Sequence, residues 1–156
     1  MNARQWLIDT HAHMPPAKVL EQLITDDAER RFQNANHSIA EIVAHMSFWQ
    51  EWMCLRCDGV AAAMPVPAAR GWPDVEAGSW PAVLARFVAG LERAAALGDR
   101  DGLPITPPIE FPPLAAYTVH DAVVHIAQHN SHHLGQVIVM RQILGSWPPP
   151  SGSWTW

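Results

Sequence analysis

The sequence predicts an all-α fold, a four-helix bundle with long crossover connections, on three observations. Four segments carry apolar residues at helical spacing, the start signals of helices precede them, and no stretch shows the two-residue alternation of a half-buried strand. At 156 residues the chain fits one domain, 1–156, since a core of this size buries about two-thirds of the surface that the unfolded chain exposes. Hydrophobic residues make up 49% and charged residues 16%, a balance that excludes disorder.

The first helix is expected over about 17–32, after Pro15-Pro16, with Val19, Leu20, Leu23, Ile24 and Ala28 on one face. The second, over 39–58, opens on a capping box, Ser38-Ile39-Ala40-Glu41, and stops at Gly59. The third, over 79–98, starts from Ser79-Trp80-Pro81, a cap followed by a first-turn proline, and carries Val83, Leu84, Phe87, Val88 and Leu91 to a stop at Gly98. The fourth, over 118–144, opens on Thr118-Val119-His120-Asp121 and ends before Gly145 and the Pro148-Pro149-Pro150 run. Two patternless stretches, about 59–78 and 99–117, are too long for a plain up-and-down bundle and fit a crossover connection. The Trp-rich tail, 147–156, is expected to lie back on the bundle or in a subunit contact.

Formal net charge is −5, and the ten basic residues, Lys18 and nine arginines, are scattered. This excludes nucleic acid and anionic membrane as partners. The first residues lack the apolar core of a signal peptide, and no stretch approaches the ~18 apolar residues of a membrane span, so a cytoplasmic protein is expected. The only cysteines, Cys54 and Cys57, fall late in a helical pattern rather than at a helix start. They read as ordinary thiols in a reducing compartment. Eight tryptophans supply packing and can wall an apolar pocket.

On the fourth helix His125, His129 and His133 recur every four residues, roughly 6 Å per step, on the same stripe as Ala122, Ile126, Val137, Met140 and Leu144. Charged imidazoles are costly to bury together, and neutral ones without partners leave polar nitrogens unsatisfied. A divalent metal ion resolves both problems. Imidazole suits Zn, Ni, Cu or Fe. A third ligand is expected from a facing helix, where His45 shares the inward side of the second helix with Ile42, Trp49 and Trp52. Three histidines with open positions form a catalytic-type site. His132 falls on the helix flank, His120 and His37 at helix starts, and His125 beside the proposed ligands. Superposing Ser38 on Thr118 also aligns Glu41 with Asp121 and His45 with His125, a faint internal repeat.

These residues resemble the DinB/YfiT-like superfamily of four-helix bundles. The resemblance spans about 17–144 and rests on H-x-x-x-H-x-G-Q, here His129 to Gln136, with a helical His about eighty residues upstream. It implies an up-down-down-up bundle and one divalent metal, Zn or Ni first and Fe, Mn or Co next, held by His45, His129 and His133. His125, Gln136, Trp49 and Trp52 would then be supporting or pocket residues. Members with assigned chemistry resemble S-transferases or isomerases that use a low-molecular-weight thiol, so a thiol co-substrate, a small-molecule substrate and a homodimer are expected. A metal-dependent hydrolase and a non-catalytic metal-binding or stress-response protein are the alternatives. Many members carry Arg before Gly-Gln, where this chain has Leu134. Separately, Asp9-Thr10-His11-Ala12-His13 resembles the D-x-H-x-H motif of amidohydrolase-type barrels, but that site needs a (β/α)₈ barrel of typically ~250 residues.

Overall fold

Three capping boxes set helix starts in the computed structural model, which describes residues 2–153. Asn2 and Gln5 exchange side-chain-to-backbone hydrogen bonds at the head of α1 (Ala3–Leu7). α2 (Pro16–Val19) and α3 (Thr25–Ala28) are single turns. Ser38 and Glu41 form the second box, opening α4 (Ile39–Cys57), and Thr118 and Asp121 the third, opening α6 (Val119–Leu144). Each box satisfies two backbone N–H groups that a helix start would leave without partners. α5 (Trp80–Ala96) starts differently: the Ser79 hydroxyl donates to the Glu76 carbonyl, and the Glu29 carboxylate accepts from the N–H groups of Gly78 and Trp80 at 2.8 and 3.0 Å. A carboxylate there also meets the positive end of the helix dipole.

α4 packs on both α5 and α6, while α1 lies against α5 and α6, α2 against α6, and α3 against α4 and α5. Their shared core includes Val43, Met46, Met53, Phe87, Val123, Leu134 and Val137. No β-strand and no helix long and apolar enough to cross a membrane occurs among the described residues. The chain is all-α, as expected. Three of the four expected helices are present close to their expected bounds, and α5 runs on into a 3₁₀ turn, Leu97–Arg100. Both Cys54 and Cys57 are buried free thiols, pushed up to about 12 and about 11 by burial. Neither has the low pKa of a redox-active pair.

The helix expected over 17–32 is the main correction. It is broken into α2 and α3, with Gln22 between them at φ 50°. Its carbonyls explain the break. Arg141, buried on α6, donates to the Val19 carbonyl, and the Trp80 indole N–H on α5 donates to the Leu23 carbonyl at 2.8 Å. Acceptors that a continuous helix would use internally are thus taken by side chains from two other helices. α1, which periodicity did not suggest, does have a sequence signal, the Asn2-x-x-Gln5 box.

The two long connections are not featureless. The first contains a 3₁₀ turn, Ala68–Gly71, and the second another, Pro112–Leu114. Arg56 holds the two together from α4, donating to the carbonyls of Ala62, Pro107 and Pro108. After the left-handed Gly145, the chain turns back: Trp147 packs on the core and on Arg141, and the Ser151 N–H donates to Glu21. The rest of the expected tail, residues 154–156, lies outside the described residues.

Candidate metal centre

His129 and His133 sit one turn apart on α6, and helix geometry alone puts them on one face. α4 brings His45 opposite them. One ligand atom from each of the three lies within 4.8 Å of the others, a grouping that could hold a metal ion. His45 Nε2 and His129 Nε2 are 3.2 Å apart. Two nitrogens on one tetrahedral Zn ion, each about 2.1 Å from it, lie roughly 3.4 Å apart, so the spacing fits.

The far side of each ring explains its orientation. His45 Nδ1 lies 2.7 Å from the Gly71 carbonyl, which can only accept, so Nδ1 carries the proton and Nε2 keeps its lone pair. His133 Nδ1 lies 2.8 Å from Gln136 Oε1, which leaves His133 Nε2 as its free nitrogen. Such outward hydrogen bonds fix the tautomer of metal-binding histidines. Beside the pair, Asn130 donates to Gln50 on α4 at 2.6 Å, and Gln50 donates to the Phe87 carbonyl on α5 at 3.2 Å. This buried polar chain ties all three long helices together next to His129.

Two contributors come from the connection after α4, and sequence reasoning missed both. Gly71 supplies the carbonyl to His45. Trp72 stacks flat on His45 with ring centroids 3.8 Å apart, and His37 stacks on its other face at 3.7 Å. No local pattern marks them, because the path of the connection brings them in. Of the expected pocket residues, Trp49 meets His45 edge-on at 6.4 Å, while Trp52 lies behind Trp49 and donates to the Ala63 carbonyl. Gln136 touches His133 as described. His125 points elsewhere, bonding the Tyr117 hydroxyl through Nδ1 at 3.0 Å. The internal repeat therefore holds for cap and acid but not for the histidine. His132 is exposed, and Leu134 is buried in the core.

The N-terminal motif joins no metal grouping among the described residues. Asp9 pairs with Arg4, His11 is exposed, and His13 bridges the Met14 carbonyl and the Ser131 hydroxyl, each at 2.8 Å. Thr10, His11, Ala12 and His13 border a separate cavity of about 400 Å³ against α6. On the site's own side, a groove of about 460 Å³ reaches His133, Gln136 and Trp72.

Burial, more than any neighbouring charge, pushes His45 down to about 4 and His129 down to about 3, and it lowers His133 and His125 as well. An unfolded imidazole titrates near 6.5. Below that pH the unfolded chain takes up protons that the fold refuses. Metal-stripped protein should therefore hold full stability above about pH 6.5 and lose it as pH falls toward 4, by up to about 1.4 kcal/mol per pH unit for each such group. Thermal melts of chelator-treated protein from pH 8 to 4 test this, and a flat profile would contradict it.

Gly71→Ala should weaken metal binding about 10- to 100-fold, in the range of lost outer hydrogen bonds. A Cβ at Gly71 would lie 2.7 Å from Trp49 Nε1, so either the indole or the backbone carrying the His45 acceptor must move. Chelator competition against the unsubstituted protein measures the loss; unchanged affinity would leave the carbonyl without influence on the site.

A family model of the DinB superfamily matches residues 16–137, a span that contains His45, His129, His133 and Gln136. No curated protein and no solved structure matches the chain. With the match covering most of the sequence and an all-α fold, the chain belongs to the DinB superfamily.

Proposed function

We propose that His45, His129 and His133 hold one divalent metal ion, zinc or nickel first and iron, manganese or cobalt next, in an enzyme that acts with a low-molecular-weight thiol. The observation that carries this reading is three inward imidazoles, two of them with Nδ1 already bonded, whose free nitrogens converge. When bound, a divalent ion with three protein nitrogens supplies Lewis acidity and lowers the pKa of a thiol or water entering an open position.

The chain's own groups do the rest. The Gly71 carbonyl and Gln136 orient two of the imidazoles, Trp72 holds the His45 ring plane, and burial keeps protons from competing for the ring nitrogens. The groove at His133 admits a small molecule. S-transfer or isomerisation suits these parts, because both need a thiol delivered as thiolate beside a second substrate.

The test is optical. Cobalt-loaded protein should change its d–d spectrum on addition of glutathione, mycothiol or bacillithiol, and one of the three should act at lower concentration than the others. A spectrum unmoved by every thiol would overturn thiol activation and favour a metal-dependent hydrolase or a metal-binding protein without turnover.

A further inference from the structure

The groove beside the triad is lined mostly by apolar side chains. Its walls are Ile42, Trp72, Val139, Met140 and Ile143, and the last exposes 67% of its surface at the rim. Its polar groups are Asn36, His37, Gln136 and His133 of the triad, and no Asp, Glu, Lys or Arg lines it. Nearby guanidinium groups are committed elsewhere. Arg31 is bonded to Glu41 and the Asn36 carbonyl, and Arg141 is buried on the carbonyls of Val19 and Ser146. Away from the ion proposed at the triad, a carboxylate, phosphate or ammonium in the groove would lose water and meet no oppositely charged side chain in its lining.

Trp72 narrows the class further. Both of its faces are covered, one by His37 and the other by His45. Only its edge remains for an occupant, and the edge of an aromatic ring is electropositive and favours the face of another ring. Resting on the proposed function, we infer that the groove takes the second substrate of the reaction, and that this is an uncharged molecule with an aromatic or similarly planar apolar body. Its size, about 460 Å³, falls within the range of small-molecule sites.

Methyl NMR on full-length protein, as purified and after chelation, tests this with three probes of one shape: 2-naphthol, naphthalene-2-sulfonate and (2-naphthyl)methylammonium. 2-Naphthol should shift the Met140, Ile42 and Ile143 methyls and bind at least tenfold tighter than either ion. Ile143→Glu should weaken 2-naphthol at least fivefold while leaving metal content unchanged. Equal binding of an ion, or naphthol shifts confined to other methyls, would overturn the inference. So would ligand-free shifts of these methyls on dilution, which would mark the groove as a contact between two copies of the chain. Naphthol binding in protein that takes up no metal would sink the metal reading alone; metal uptake with no naphthol binding would sink the groove alone.

Discussion

His45→Ala and His129→Ala are each expected to drop bound divalent metal from about one ion per chain to near zero, while His132→Ala retains it. Removing His45 leaves two imidazoles on one helix, and removing His129 takes away the nitrogen 3.2 Å from His45. Neither remnant offers the three protein ligands of an open catalytic-type site. His132, one residue from a proposed ligand, is exposed, meets the Gln136 amide at 3.4 Å and belongs to no metal grouping among the described residues. Elemental analysis of untagged protein, with circular dichroism as a check on folding, separates these outcomes. Full metal content in the folded His45→Ala protein would mean that α4 contributes no ligand. Loss in His132→Ala equal to that in His129→Ala would mean that the wrong face of α6 has been assigned.

Arg141→Ala is expected to lower stability by about 2–5 kcal/mol, the cost of leaving two carbonyls without their donor at about 1–3 kcal/mol each. The guanidinium bridges the carbonyls of Val19 and Ser146 and packs on Trp147 at 5.8 Å. Alanine would leave both carbonyls without that donor, and a cavity where a buried side chain stood. For a domain of this length, each 1 kcal/mol moves Tm by roughly 2–4 °C, so the melt should fall on the order of 10 °C. Arg141→Lys should recover only part of this, because one ammonium lacks the fork that reaches two acceptors. Calorimetry on metal-loaded protein measures both. A change under about 2 °C would show that this clamp contributes little to stability.

The balance between sequence and tertiary structure is clearest at particular residues. α4, α5 and α6 were readable because capping, apolar spacing and stop signals act within a few residues: Ser38 with Glu41, Thr118 with Asp121, Gly145 after Leu144. His129 and His133 were readable as a pair for the same reason, and His45 because it lies on the buried side of a well-marked helix. The Asn2 box marks the start of α1, but that helix is too short to show a period.

An all-α chain, its three long helices and the shared face of His129 and His133 follow from local sequence, because helix geometry converts spacing directly into a face, whereas His45 meets that pair only through the packing of α4 on α6. Only the tertiary structure decided that the segment over 17–32 breaks and that the connection after α4 completes the site. Those outcomes rest on hydrogen bonds between residues 122, 57 and 26 positions apart: Arg141 to Val19, Trp80 to Leu23, and His45 to Gly71. A carbonyl's local partner and its distant competitor differ little in energy, and packing, which local pattern does not encode, selects between them.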